Sequence, residues 1–140
     1  MQQMKLCDTS VLVDIDRGGI NDKVRSLDAE GRHAISTVTV TELRIGVEFQ
    51  YQPGTDAYRR ALDDLDRLLA RFEIVPVSRS VAVSASRILG TLRRRGLALD
   101  DLHDCYIGAT ARTEERPVLT SNVDHFERMP DVDVVDWESY

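Results

Sequence analysis

Short apolar runs alternate along the chain with longer segments in which apolar residues recur every three or four positions. The short runs predict buried strands, and the longer segments predict amphipathic helices. The predicted strands end at Cys7 and span residues 33–37, 72–77, 118–120 and 132–135. Strands that alternate with helices predict an α/β domain, with a central, mostly parallel sheet covered by helices on both faces.

Glycine and proline mark where the predicted helices end, as at Gly31, Gly96 and the pair Pro53-Gly54. The helices predicted between these breaks span residues 11–16, 20–30, 39–51, 56–71, 80–95 and 102–114, with a short turn of helix near His125. A length of 140 residues is typical of one domain. We therefore expect a single domain over residues 1–140.

Composition and hydropathy predict in which compartment the protein is found. Apolar residues make up 42% of the chain and charged residues 30%, as in ordinary globular domains. No run approaches the roughly 18 apolar residues of a membrane helix, and the first residues lack the pattern of a secretory signal. We expect a cytoplasmic protein without membrane contact, in which Cys7 and Cys105 are reduced, small buried residues.

Acidic and polar side chains occur where predicted strands end or predicted helices begin. Asp8 follows the first strand, and Asn122 and Asp124 follow the strand at 118–120. Glu42 and Asp104 lie in the first turns of two predicted helices. Because ligands of parallel α/β sheets bind beyond the carboxyl ends of the strands, these side chains mark the expected site.

Each acid also has an ordinary structural explanation. Asp8-Thr9-Ser10 could form only a turn or a helix cap, and Asp104 could serve only the helix dipole. Thr39 and Glu42 match a capping box, in which Glu42 returns a hydrogen bond to the Thr39 backbone. Capping and a role in the site compete for the same carboxylate oxygens.

Four segments, taken in order, resemble one family. They are Asp8-Thr9-Ser10, Thr41-Glu42-Leu43, Asp104 followed by Ile107-Gly108-Ala109, and Thr120-Ser121-Asn122. This combination resembles the PIN-domain nucleases and, among them, the VapC toxins of toxin–antitoxin pairs. The resemblance extends over nearly the whole chain.

The resemblance implies a role for each matching residue. It makes Asp8 and Asp104 the central metal ligands and Glu42 a third acid. It makes Ser10 and Thr120 hydroxyls that support the acids or the scissile phosphate.

The fourth position of the family pattern departs from expectation. Many members carry Asp where this chain has Asn122, which can coordinate through its carbonyl oxygen but brings no charge. Asp124, two residues on, could substitute or could face solvent. The resemblance further implies a homodimer and a VapB-like antitoxin whose tail covers the site.

Carboxylate oxygens suit Mg²⁺ or Mn²⁺, because both are hard cations. A bound divalent ion lowers the pKa of a bound water and stabilises the charge on a phosphate under attack. We therefore expect RNA phosphodiester hydrolysis by metal-activated water, without a covalent intermediate. A mechanism through the ribose 2′-OH is disfavoured, because His33 and His125 are expected at the surface or in turns.

The net charge of −6 argues against a polyanionic partner, but the basic residues are clustered. All but two of the 18 basic residues are arginine, and Arg93, Arg94 and Arg95 are consecutive. This run either suits the end of a helix, where cations are favoured, or contacts RNA or an antitoxin.

Other functions are also compatible with the sequence. The principal alternative is a non-catalytic PIN-like subunit of a DNA-binding regulatory complex, which Asn122 favours. A zinc site that uses Cys7 and Cys105 is disfavoured, because the usual paired spacing is absent. A receiver-like phosphatase would need a lysine at a suitable position in the site, and neither Lys5 nor Lys23 is in such a position.

Overall fold

Five short parallel strands form one sheet in the order β3-β2-β1-β4-β5. The computed structural model describes residues 4–97 and 102–140. The strands are β1 (Leu6–Cys7), β2 (Ala34–Ser36), β3 (Glu73–Val75), β4 (Val118–Thr120) and β5 (Val134–Asp136). Strand order reverses at β1, which pairs with β2 on one side and β4 on the other. The carboxyl ends of β1 and β4 are therefore where a site is expected in such a sheet.

Helices cover both faces of this sheet, as the sequence predicts. They are α1 (Thr9–Arg17), α2 (Asn21–Ala29), α3 (Thr37–Gln50), α4 (Asp56–Leu69), α5 (Arg79–Arg94), α6 (Leu102–Thr113) and α7 (Val123–Glu127), and a 3₁₀ turn follows at Trp137–Ser139. Alternate strand residues point to opposite faces. Leu6 and Val118 join the core beneath α5 and α6, while Cys7 and Leu119 join the core beneath α1 and α4.

Two details of the predicted elements are wrong. The strand at β3 was expected to be buried, but Ile74 is 44% exposed because β3 lies at the edge of the sheet. Helix α3 begins directly after β2, two residues earlier than expected. Ser36 caps it by accepting a hydrogen bond from the Val38 backbone N–H.

Two expectations about single residues can also be checked. Cys7 and Cys105 are buried and are not joined by a disulfide. His33, expected at the surface or in a turn, is instead buried, and its Nδ1 accepts the Lys5 backbone N–H at 2.9 Å. Among the described residues, no helix is both long enough and apolar enough to cross a membrane.

A buried ionic network closes the amino-end side of the sheet. Lys5 Nζ lies 2.8 Å from Glu30 Oε1, and the Tyr140 hydroxyl donates to both Glu30 oxygens at 2.8 Å. Burial alone would raise the pKa of Glu30. The hydrogen bonds from Lys5 and Tyr140 outweigh burial and hold that pKa below its usual value. The network thereby joins β1, α2 and the carboxyl-terminal turn.

We expect Glu30→Gln to lower the free energy of unfolding by about 1–3 kcal/mol at neutral pH, because Lys5 loses its buried charged partner. The folded-state pKa of Glu30 lies below its usual 4.5, so its stabilising effect is complete above that value. The effect is lost as the pH falls through the lowered folded-state pKa. Urea unfolding of both proteins across this range, with the exposed Glu127→Gln as control, measures the difference. If the two proteins still differ by the same free energy of unfolding in strong acid, the stabilising role of the Glu30 charge is contradicted.

Candidate active site

Asp8 lies directly after β1 and begins helix α1. Its side chain is buried, and its Oδ2 accepts hydrogen bonds from Thr120 Oγ1 at 2.8 Å and Ser10 Oγ at 3.0 Å. Within the described parts of the chain, no donor reaches its Oδ1. Thr120 ends β4, so the parallel pairing of β1 with β4 sets this contact.

The two hydroxyls beside Asp8 also join the chain segments around it. Ser10 Oγ accepts the Ser121 backbone N–H at 3.2 Å, and Thr120 Oγ1 accepts the Asn122 backbone N–H at 2.9 Å. Each hydroxyl therefore donates to the carboxylate and accepts from the loop that follows β4. The Asp8 carboxylate is thus held between the end of β4 and the first turn of α1.

Glu42 faces this same edge of the sheet from helix α3. Its Oε1 accepts the Thr9 hydroxyl at 2.9 Å, and Thr9 also lies 3.0 Å from the Thr39 hydroxyl. The capping-box explanation of Glu42 is wrong, because Ser36 caps α3 and Thr39 lies inside it. Glu42 is consequently in the second turn of the helix, not the first, where its side chain reaches α1.

Asp104 is buried in the first turn of α6, and His125 Nδ1 lies 2.9 Å from its Oδ2. Gly108 allows helix α6 to pack closely against the segment after α7. A Cβ at this position would overlap the Met129 side chain. The close approach therefore fixes α7, and with it His125, beside the start of α6.

Two histidines that lie beside acids were not among the predicted site residues. His125 was expected in a turn or at the surface, but its half-exposed ring contacts Asp104. His103 Nδ1 lies 3.9 Å from Glu42 Oε2. The available signal was position: His103 precedes Asp104, and His125 lies three residues after Asn122 in the polar turn.

The acids share one edge of the sheet and are linked through neighbours, but they do not converge on one point. In the part of the chain that the structure describes, no three His, Cys, Asp or Glu side chains form a metal-sized group. Their chemistry nevertheless fits a hard cation: the donors are carboxylate oxygens, and Asp8 Oδ1 is open. Cys7 and Cys105 lie in opposite cores, which opposes a shared zinc site.

The remaining predicted site residues are Asn122, Asp124 and the arginines 93–95. The side chains of Asn122 and Asp124 are exposed, and neither bonds to Asp8, Glu42 or Asp104 in the described structure. The arginine run 93–95 ends α5, where Arg94 donates to the Thr91 hydroxyl at 3.3 Å.

The fold and these acids define a class of parallel α/β domains that carry a carboxylate-lined site at the strand ends. Within this class, the chain belongs to the PIN domain family, whose model matches residues 5–132. The chain is 35% identical to ribonuclease VapC1 of Methanocaldococcus jannaschii, over 89% of this chain and 79% of that protein. The family expected from the four sequence segments is thereby confirmed.

Solved structures show the same fold. DNA-bound VapBC from Salmonella typhimurium matches with a TM-score of 0.82 at 24% identity, covering 97% of this chain and 99% of that one. FitAcB from Neisseria gonorrhoeae matches with a TM-score of 0.80 at 28% identity, covering 98% of this chain and 100% of that one. The predicted α/β architecture is therefore confirmed.

We expect Thr120→Val to lower the free energy of unfolding by about 1–3 kcal/mol, because a buried carboxylate loses a donor and the Asn122 N–H loses its acceptor. Thr120→Ser keeps the hydroxyl and should lose less. Thr41→Val is a matched control, since that exposed hydroxyl bonds only to the Thr37 carbonyl. Urea unfolding measures all three variants, and equal losses in Thr120→Val and Thr41→Val would contradict the described role of Thr120.

Proposed function

We propose that this chain is an endoribonuclease toxin that uses Asp8, Asp104 and Glu42 to hold Mg²⁺ or Mn²⁺. The observation that carries the proposal is the environment of Asp8. Its carboxylate is buried, its hydrogen-bond partners are two neutral hydroxyls, and no cationic side chain pairs with it in the described structure. A buried carboxylate without a cation is costly, and a bound metal ion would offset that cost.

The surrounding residues would keep the acids in place for such an ion. Thr120 and Ser10 fix Asp8, Thr9 orients Glu42, and His125 orients Asp104. When bound, the metal ion would supply an activated water and stabilise the charge on the phosphate.

The similarity to a protein named a ribonuclease supports RNA as the substrate. Both candidates for the fourth position are exposed at the start of α7, where they can face a substrate that enters over Asp8 and Asp104. Asn122 follows directly from the loop that Ser10 and Thr120 hold, whereas Asp124 lies one residue inside the helix. We propose that one of them completes the site.

We expect the purified chain to cut cellular RNA with Mg²⁺ or Mn²⁺ and to stop when EDTA is added. Asp8→Asn and Asp104→Asn should each slow cleavage by at least about a hundredfold, because each removes charge that faces the metal. Gel-based cleavage assays measure the rates, and calorimetric titration with Mn²⁺ counts the ions. Asn122→Ala and Asp124→Asn, assayed in parallel, identify the fourth position.

The matched control is Asp22→Asn, because that carboxylate is 99% exposed on α2. Its rate should equal that of the unaltered chain. Cleavage that survives EDTA or both site substitutions contradicts the metal mechanism. If no RNA is cut under any condition, the alternative of a non-catalytic subunit in a DNA-binding complex replaces this proposal. The structures solved on DNA are consistent with that alternative.

An apolar cleft beside Glu42 suits the proposed antitoxin. The cleft has a volume of about 420 Å³ and runs from Thr9 and Glu42 between α1, α3 and α4. Val13, Val47 and Leu65 are among the apolar residues that line it. Similar chains were solved as VapBC complexes, which supports a VapB-like partner. A segment bound in this cleft would end at the acids and cover them.

We also propose that the protein acts as a cytoplasmic homodimer, as the resemblance to VapC toxins implies. Phe49, near the end of α3, is 87% exposed in the single chain. Ile45, one helical turn earlier on α3, is 39% exposed as well, and neighbouring exposed apolar side chains are typical of a surface that another chain covers.

We expect Val13→Arg to reduce capture of a co-expressed antitoxin by at least about tenfold, because the longer, charged side chain would fill the part of the cleft that Val13 leaves open to an apolar side chain of the partner. Val13 is 38% exposed, so the change should be tolerated by the fold. The measurement is co-purification with the small protein encoded beside this chain, and circular dichroism checks folding. Val83→Arg, at a 44% exposed position on α5, is the control and should capture the partner normally.

A further inference from the structure

Helix α5 concentrates positive charge in an acidic protein. Residues 74–99 contain five arginines and no Asp or Glu, although the whole chain has a net charge of −6. Several arginines elsewhere lie beside acids of their own helix, as in the pairs Arg25–Asp22 and Arg67–Asp64. Because its own segment carries no acid, α5 favours a local positive potential.

An open cleft of about 490 Å³ lies between α5 and the segment that follows α7. Three arginines line it, Arg87 and Arg94 from α5 and Arg112 from α6, and we call it the arginine cleft. Small residues of α5, including Gly90, line its helical side. Of the consecutive arginines 93–95, only Arg94 lines the cleft.

The guanidinium groups are held in the cleft by local contacts. Arg94 folds back along its helix to donate to Thr91 Oγ1, and its Nη1 lies 3.3 Å from where a Cβ of Gly90 would be. Arg112 Nη1 donates to the Pro130 carbonyl at 3.4 Å. A side chain at position 90 would displace Arg94, so the glycine makes room for this arrangement.

The charges in the arginine cleft are only partly balanced by acids nearby, since Asp133 and Glu115 flank Arg112 on its other side. Asp131 is the acid that lines it, and that carboxylate is 83% exposed and 4.0 Å from Arg112. Arg87 forms no ion pair among the described residues. Three clustered guanidinium groups repel one another, and an anion bound between them relieves this repulsion. Planar guanidinium groups fit phosphate oxygens particularly well.

The arginine cleft leads toward the candidate active site. Helices α5 and α6 are antiparallel, since Ser78 and Val81 at the start of α5 lie beside Thr113 at the end of α6. The row from Arg87 to Arg94 therefore runs about 10 Å toward the end of α6 that carries Asp104.

A second connection runs along α6 itself. His125 contacts Asp104 and Pro130 contacts Arg112, so the segment 125–130 follows α6 from the site to the cleft. Eight residues separate Asp104 from Arg112 on α6, which corresponds to about 12 Å. A few nucleotides of an extended strand can therefore reach from the cleft to the acids.

We propose that the arginine cleft binds the phosphate backbone of single-stranded RNA and directs it to the edge that carries Asp8 and Asp104. The inference rests on the proposed ribonuclease function. Binding in the arginine cleft would explain how an acidic protein with an acidic site can hold a polyanion. An acidic protein segment is the less favoured occupant, because the lining is mostly polar and lacks the apolar anchors of a protein interface.

The test measures binding of a fluorescent single-stranded oligoribonucleotide in EDTA, where the proposed cleavage does not occur, at several salt concentrations. We expect the triple variant Arg87→Gln, Arg94→Gln, Arg112→Gln to bind at least about tenfold more weakly. The slope of log affinity against log salt concentration should be shallower by about 2 in this variant, since each of the three lost phosphate contacts contributes about 0.7 to the slope. Gly90→Glu should weaken binding in the same direction but by less, because it adds one negative charge beside Arg94.

The matched control removes three arginines whose neighbours are acids of their own helices: Arg25→Gln, Arg59→Gln and Arg67→Gln. The control variant loses the same formal charge as the cleft variant. If both lose RNA binding equally, the effect is one of general charge, and the proposed role of the arginine cleft is wrong. Unchanged RNA binding in the triple variant also overturns it. If polyglutamate competes as well as RNA for the cleft at equal charge, an acidic protein segment is its occupant instead.

Cleavage by the unaltered chain separates the two proposals. If that chain cuts RNA and the triple variant binds and cuts equally well, the arginine cleft is wrong and the ribonuclease function stands. If the unaltered chain neither binds nor cuts RNA, the proposed function fails and the cleft fails with it.

Discussion

The hydrogen bond between Thr120 and Asp8 is the contact on which the arrangement of the site depends. It joins the ends of β1 and β4, the adjacent strands at which the sheet order reverses. Because Thr120 also accepts the Asn122 N–H, the same hydroxyl fixes the start of α7. Helix α7 in turn places His125 against Asp104. One buried hydroxyl thereby couples two acids that are nearly 100 residues apart in sequence.

Charge is distributed on this scaffold in two opposed regions. The carboxylates gather at the carboxyl ends of the strands, and the arginines gather along α5, one layer away. Separation of this kind would let one domain hold the proposed metal ion and the proposed RNA next to each other, because each ligand would be bound by the opposite charge. The negative net charge of the chain is therefore compatible with a nucleic-acid substrate.

The contacts of Glu42 and His33 show where inference from the sequence fails. The spacing of Thr39 and Glu42 fits a capping box, but Ser36 already caps α3, so Glu42 is available to Thr9. His33 lies in a polar-looking segment, yet it is buried because its ring nitrogens bond to the backbones of Lys5 and Leu27. Each side chain also has a partner that is remote in sequence, Thr9 for Glu42 and Lys5 for His33, which a local pattern cannot reveal.

The sequence by itself determined the α/β architecture and the family, and it singled out the three acids that the proposal uses, because hydrophobic periodicity and short motifs are local properties. Only the tertiary structure decided which groups surround those acids. The hydroxyls on Asp8, the histidine on Asp104 and the cleft between Arg87 and Arg112 all depend on pairings across the fold. Such pairings are set by strand order and helix packing, which bring together residues whose separation in the sequence gives no sign of contact.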